Sequence, residues 1–241
     1  MANYATMGYI GFVKLGNMVV RATSCDIKTS QEISYPEVID GKADTTLYQL
    51  GPKVTGGSVA FPLVHDTASG TCLNEGGNVS LASDSVVAKL WELALKRDAQ
   101  QKLTKFDSFV RYSDSLSYKY PGCMINTLTY TVAQQDAIQV SAEIWGGAVN
   151  GAKDREPGPT SATDPLNRLS YLSPARVATW NDFLVYLFGI GTTSTQVSTS
   201  ELREFTVTIN NNLERFYTLN GSLSAFDIAA KKREISGTLK I

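Results

Sequence analysis

The last forty residues constrain this chain more tightly than any other stretch. Phe205, Val207 and Ile209 alternate with Thr206, Thr208 and Asn210, the period-two pattern of a strand with one apolar and one wet face. Beyond a turn expected at Asn220-Gly221, Ile235, Gly237, Leu239 and Ile241 alternate with Glu234, Ser236, Thr238 and Lys240. Strands of this kind carry a row of backbone donors and acceptors as well as an apolar face, and both must be covered or paired. The rest of the chain has to supply partners, or further copies of it must.

The composition agrees with a β-rich fold. The 241 residues include 19 Gly, 11 Tyr and many Ser and Thr, and one stretch has convincing helical periodicity. The length suffices for one large or two small domains. A formal net charge of −1 argues against a sequence-reading nucleic-acid binder, which is normally basic, and Lys231-Lys232-Arg233 reads as a solvated turn. Cys25, Cys72 and Cys123 match no zinc or thioredoxin spacing and are expected to be free thiols in a reducing compartment. With neither a signal-like N-terminus nor an apolar run of about 20 residues, the chain is expected to be a soluble product of a cytoplasm, with no membrane partner.

Along the chain, residues 1–18 read as a strand or extended arm, and Val19 to Ser34 as a long or bent strand with Thr23, Cys25 and Ile27 on one face. Residues 35–57 read as a long loop. Ser58 to Val64 reads as a strand, with Pro62 placing it at an edge or bulge. The span from about 84 to 98 is a four-turn helix with Ser83 or Asp84 as cap, Val87, Leu90, Trp91 and Ala94 on its packing face, and Lys96 and Arg97 in its last turn. Phe106 to Tyr112 is a strand. Met124–Val132 and Ile138–Ile144, joined at Gln134-Gln135-Asp136, make the clearest hairpin, with Met124, Leu128, Tyr130 and Val132 on one side and Ile125, Thr127, Thr129 and Thr131 on the other. The proline-rich stretch 150–165 reads as an exposed loop, and 180–190 as a buried strand or a short helix. The organisation expected is a β module with helix over 1–149, a linker over 150–170, and a second β portion over 171–241 that completes the same fold.

Thr23–Tyr35 also echoes Phe205–Tyr217 without a gap, matching Cys25 to Val207, Ile27 to Ile209, Glu32 to Glu214 and Tyr35 to Tyr217. A second hairpin, Leu223–Ile228 with Ile235–Ile241, would mirror the 124–144 hairpin. Either one β module is used twice, or the likeness is one that any two amphipathic strands share.

Motifs for chemistry are scarce. His65 stands in a loop with no nucleophile motif around it. Gly51-Pro-Lys-Val-Thr-Gly-Gly-Ser58 comes within one residue of a phosphate-binding loop, but Gly57 occupies the place of the required lysine. Gly189-Ile-Gly191 lacks the third glycine of a dinucleotide site. No catalytic residue, cofactor or metal is expected.

At Phe205-Thr-Val-Thr-Ile-Asn-Asn-Asn-Leu-Glu, followed by Tyr-Thr-Leu-Asn-Gly and Lys-Arg-Glu-Ile-Ser-Gly-Thr-Leu, the chain resembles the C-terminal part of bacteriophage tail tube (major tail) proteins. Ser24-Cys-Asp-Ile-Lys-Thr-Ser-Gln-Glu-Ile and the 126–145 hairpin resemble the same family. The resemblance implies a β-sandwich or half-barrel with one flanking helix, and hairpins that join those of neighbouring subunits into a ring. It also implies rings that stack into a conduit for DNA. A hexamer is the first choice, and a pseudo-hexameric trimer the alternative if the duplication is real. Implied partners are further copies of the chain, the tape measure, terminator and baseplate proteins and a sheath, with viral DNA passing unread through a structural, non-enzymatic part of the virion tail. The residues expected on lumen or inter-subunit strands are Asp26, Glu32, Thr127, Thr129, Gln139, Glu143, Thr206, Thr208, Asn210 and Glu214. Loops 35–57 and 150–170 suit ring-to-ring contacts. The alternatives are a terminator, distal tail, baseplate hub or injection-system tube protein and, from another class, a β-sandwich glycan-binding module suggested by 10% aromatic content.

Overall fold

The computed structural model describes residues 12–16, 18–20, 22–35, 48–65, 86–113, 116–147, 156–157, 176–182, 186–187, 195–196, 203–219 and 222–240. Within them the chain is mainly β with one α-helix. The strands up to the helix are β1 (Phe12–Leu15), β2 (Met18–Val20), β3 (Ser24–Cys25), β4 (Lys28–Ser34), β5 (Gln49–Pro62) and β6 (Val64–His65). Helix α1 (Val86–Leu95) is followed by β7 (Phe106–Ser113), β8 (Leu116–Ala133) and β9 (Gln139–Gly146). Four two-residue strands come next, β10 (Glu156–Pro157), β11 (Arg176–Val177), β12 (Tyr186–Leu187) and β13 (Thr195–Gln196), and then the longer β14 (Glu204–Asn210). The chain closes with β15 (Leu213–Phe216), β16 (Asp227–Ala230) and β17 (Glu234–Lys240).

One strand, β8, joins the two parts of the main sheet. The first part of β8 pairs with β7, which leads on to β1 and β2. Its second part lies between β9 and β14. Between the two parts Gly122 has φ 63°, which a glycine adopts without cost. The second part belongs to a run of antiparallel strands in the order β17-β14-β8-β9-β5, closed by β3 and β4, which both pair with β5. Val13, Leu15, Val110 and Tyr120 from one side share a core with Val59, Phe61, Leu128, Val140, Ile144 and Ile209 from the other.

Helix α1 packs into this core through Leu90 and Ala94, both 0% exposed, and through Trp91, whose ring stacks on Tyr130 with centroids 5.5 Å apart. Val87 lies in the helix, and its side chain lies outside the described residues. The helix is shorter than the four turns expected: it stops at Leu95, so Lys96 and Arg97 fall past it. Its last carbonyls find donors elsewhere. Asn211 Nδ2 donates to Ala94 O at 3.0 Å, and Arg233 donates to Leu95 O at 2.8 Å and to Asn211 Oδ1 at 2.9 Å. Arg233 is therefore a helix cap rather than part of a solvated turn. Burial lowers the pKa of its guanidinium, and Arg97 lowers it further.

Other expectations are corrected. Val19 to Ser34 is three short strands, with Ile27 buried and Thr23 exposed. Residues 49–57 are not loop but the first half of β5. Pro62 is neither at a sheet edge nor in a bulge: it is the last residue of an interior strand, where the missing donor costs little. The hairpin of β8 and β9 is as expected, turning at Gln135 with φ 66°. A bulge between Ile125 and Thr127 inverts the alternation, however. Ile125 joins Leu128 in the main core, and Met124 joins a second cluster with Leu103, Leu213 and Ile228. Glu156-Pro157, inside the expected loop, forms a two-residue strand on β8. Trp180–Asp182 is a single 3₁₀ turn and Tyr186–Leu187 a strand paired with Thr195–Gln196. The expected Leu223–Ile228/Ile235–Ile241 hairpin is absent: Asp227–Ala230 pairs with β15, while β17 returns to β14. The two echoing stretches thus meet different partners, Thr23–Tyr35 lying along β5 and Phe205–Tyr217 being divided between β14 and β15. Asn220-Gly221, Cys72, the side chain of His65 and Gly189–Gly191 lie outside the described residues.

Candidate functional site: a polar sheet face between two open edges

Strand alternation turns one side of the β17-β14-β8-β9-β5 run toward the core and leaves the other polar. Register lines the polar residues up in rows across the strands. One row runs Glu234, Asn210, Thr127, Glu143, Ser58, and backbone bonding between Asp26 and Ser58 extends it to Asp26. The next runs Ser236, Thr208, Thr129, Ser141, Ala60, Ser24, and a third runs Thr238, Thr206, Thr131, Gln139, Pro62. Eight of the expected residues, Asp26, Thr127, Thr129, Gln139, Glu143, Thr206, Thr208 and Asn210, therefore share one face. Glu32 and Glu214 do not. Glu32 sits at the irregularity between Gln31 and Ile33 in β4, and Glu214 lies on β15, paired with Lys231 at 2.9 Å.

Sequence reading set Ser141, Glu234 and Ser236 on the wet sides of their strands without counting them among the lumen or inter-subunit residues, and passed over Ser24, Ser58 and Glu204. The signal was present in the same alternation that marks their apolar neighbours, but only the register between strands shows that they continue the rows.

The face is held together by hydroxyls and carboxylates. Thr129 and Thr208 share a hydrogen bond of 3.1 Å between their hydroxyls. The Ser58 backbone N–H and hydroxyl both donate to Asp26 Oδ1. Glu143 accepts from Asn126 Nδ2 at 2.8 Å, Thr127 Oγ1 at 3.0 Å and Trp145 Nε1 at 2.8 Å. Partial burial raises the Glu143 carboxyl pKa. The three donors and the field of Arg215 outweigh it and hold the group below the usual carboxylate range. The three rows hold no Lys or Arg; the next row at one end holds Lys240, engaged with Glu204 at 2.6 Å, and the next at the other holds Lys28, the register partner of Gly56.

At one end the face is roofed by the β15–β16 hairpin. Arg215 stacks over Trp145 at 4.1 Å and donates to Thr55 O at 2.7 Å, and Asn126 Oδ1 accepts from Leu213 N at 2.9 Å. Burial lowers the pKa of the Arg215 guanidinium.

Among the described residues both lateral edges are open: β17 pairs there with β14 alone, and β3 and β4 pair with β5 alone. On β17, Ile235 is 62% and Leu239 37% exposed, on the side opposite the polar rows. Because every pairing in the run is antiparallel, β17 and β3–β4 run in opposite directions.

No chemistry gathers here. Gly51–Ser58 is extended strand and cannot cradle a phosphate. A Cβ on Gly56 or Gly57 would meet Ile144 O at 2.8 Å or Asp26 O at 2.6 Å, so these glycines serve the close approach of neighbouring strands. Among the described residues, no group of three or more His, Cys, Asp or Glu is placed to hold a metal, and no helix is long and apolar enough to cross a membrane. Cys25 is a half-buried free thiol on the β3 edge. Cys123 is buried and free, with its thiol pushed up to about 11 by that burial.

Solved structures with likeness to part of the chain include three from contractile injection systems and a prophage. They are a sheath/tube terminator of the extracellular contractile injection system PVC (10% identity, 57% of this chain and 89% of that one, TM-score 0.35), the sheath–tube complex of the same system (10%, 62% and 90%, 0.37), and the tube-terminating cap of the anti-feeding prophage (13%, 57% and 84%, 0.34). No curated protein matches it. The family model described as phage tail tube protein matches residues 5–241, nearly the whole length. With that match added to a mainly β fold, one flanking helix and a polar sheet face, the chain belongs to the phage tail tube protein family.

Proposed function

We propose that copies of this chain stand side by side, the β17 edge of one pairing with the β3–β4 edge of the next, and close a ring whose polar face lines the lumen. Stacked rings make the tail tube through which viral DNA passes. The observation that carries this reading is the pair of open edges on one antiparallel sheet. Exposed edges of this kind are a hazard to a monomer and are removed by closure. Opposite strand directions at the two edges let the alternation continue across the joint.

Spacing favours six copies. Strands lie about 4.8 Å apart, so six copies of six strands make a wall roughly 170 Å around and 55 Å across before strand tilt is counted. Three copies would give roughly 27 Å, of which inward side chains take about 10 Å. The face also suits passage rather than grip. Hydroxyls, amides and carboxylates offer a phosphate backbone no counter-charge, whereas free lysines would bind it in a salt-dependent way. The wall needs no catalytic step. Its further partners are the tape measure, terminator and baseplate proteins and, in a contractile tail, the sheath. The chain is made in the host cytoplasm and ends in the virion tail.

Ile235→Lys with Leu239→Lys places two charges on the edge without touching the core. The expected result is a folded monomer by sedimentation where the unaltered chain gives rings with a central hole in negative stain. An unaltered chain that stays monomeric at high concentration, or a variant that forms rings as readily, sinks the reading.

A further inference from the structure

Positive charge is gathered on one shoulder of the protein. Residues 89–105 and 227–233 hold eight of the chain's 22 Lys and Arg but only three of its 23 Asp and Glu. About a tenth of the chain thus carries more than a third of its positive charge, and the remainder is left acidic. Hydrogen bonds and ion pairs bring the two stretches together. Arg97 donates to Lys231 O at 3.1 Å and Arg233 to Leu95 O at 2.8 Å. Lys102 and Lys105 both pair with Asp227, at 3.5 and 2.8 Å. The fold leaves most of this charge uncancelled. Arg97 and Arg233 donate to main-chain carbonyls and to the Asn211 amide oxygen rather than to carboxylates. Arg97 lies close enough to lower the pKa of Arg233. Capping of α1 accounts for Arg233 and favours Arg97 beside it. It does not account for Lys102, Lys105, Lys231 and Lys232, and gathering like charges works against the folded state.

We infer that this shoulder is a docking surface for an acidic peptide segment of a partner protein. Its chemistry favours a peptide over nucleic acid. Glu92, Asp98 and Asp227 stand among the cations; they repel an unbroken row of phosphates, whereas a peptide can space its Asp and Glu around them. No exposed ring offers a base a stacking platform, because Trp91, the only aromatic residue in the two stretches, lies flat on Tyr130. The ion pairs Lys96–Glu92 and Lys231–Glu214 are exposed, so an incoming carboxylate replaces either at little loss. The inference rests on the tube-wall reading for one point, the direction in which the shoulder faces. Helix α1 packs on the core side of the sheet, opposite the polar rows. A ring whose polar face lines the channel therefore turns α1 and the shoulder at its end outward, away from the DNA. Each contact is weak and salt-dependent, and repetition from copy to copy multiplies it.

The test is fluorescence anisotropy of a labelled oligoglutamate peptide with the full chain. Binding is expected at about 50 mM salt and should be lost by about 200 mM. The double variant Lys96→Gln, Lys102→Gln changes side chains that are 63% and 59% exposed, so its thermal midpoint should not move. It should weaken binding about five- to tenfold at low salt. Lys14→Gln with Lys119→Gln removes the same charge from β1 and β8 and should change binding less than about twofold. Equal weakening by the two variants overturns the inference, as does the absence of binding by the unaltered chain. Duplex DNA that competes for the shoulder as well as the peptide does overturns it in favour of nucleic acid. Loss of rings in the Lys96→Gln, Lys102→Gln variant overturns it in favour of a contact between copies. A chain that never forms rings but binds the peptide through Lys96 and Lys102 upholds the docking surface and overturns the tube-wall reading alone.

Discussion

At the scale of single residues, Asn126 is where the strand face, the roof and the wall meet. It stands in the β8 bulge, 9% exposed, donating to Glu143 and accepting from the Leu213 N–H that anchors β15. Glu143 in turn takes three donors. Because its folded pKa is held below the ordinary value, the stabilisation is present above the unfolded pKa and disappears as pH falls through the folded one. Glu143→Gln, which cannot carry the charge, should cost about 1–3 kcal/mol at neutral pH, toward the lower end because the site is partly wet. That corresponds to a fall of roughly 2–10 °C in the thermal midpoint for a chain of this size. The gap between the variant and the parent should narrow on acidification below pH 5. Thermal melts at pH 7 and pH 3.5 read both quantities, and a gap that stays constant would show that the charge contributes nothing.

At the scale of elements, the helix gives the sharpest forecast. Trp91 lies flat on Tyr130 while Leu90 and Ala94 are sealed in the core. Trp91→Asp should therefore cost about 3–5 kcal/mol or more, since it adds a charge to the loss of the ring. Circular dichroism should show an unfolded or molten chain, and a normal cooperative melt would mean that this face of the helix does not pack. The helix face was legible because Leu90, Trp91 and Ala94 repeat at helical spacing, as were β9 and β14 because they alternate without interruption. β5 was not. Gly51-Pro52 and Gly56-Gly57 look like turn chemistry, yet the glycines are there to admit Asp26 and Ile144 at short range. The bulge at Asn126 was equally hidden, since nothing in a run of alternating residues announces a one-residue change of phase. Glu32 and Glu214 look like wet-face carboxylates in sequence, but only strand pairing decides which sheet a face belongs to.

At the scale of the whole molecule, the polar rows become a property of the assembly. Gln139 and Ser141 are exposed on that face, so Gln139→Lys with Ser141→Lys should leave folding and ring formation intact while adding two positive charges per copy to the channel. Tubes of this variant should retain double-stranded DNA, with retention falling steeply as salt rises, whereas tubes of the parent should not. Filter binding across a salt series measures it, and equal retention by the two would place the face somewhere other than the channel. Which residues are polar was readable from the alternation in the chain; that they join into one surface was not, because the rows run at right angles to the sequence.

β8 carries a mechanical consequence. It is 18 residues long, about 60 Å when extended, and its two parts lie in different layers of the protein. The layer that would face the channel and the layer behind it are therefore joined by one covalent tensile member rather than by side-chain packing alone. A load applied to the outside of the tube is passed inward along a peptide backbone. If copies pair edge to edge as proposed, no covalent bond spans the seam between them, so an overloaded tube comes apart there into intact subunits before any subunit loses its shape.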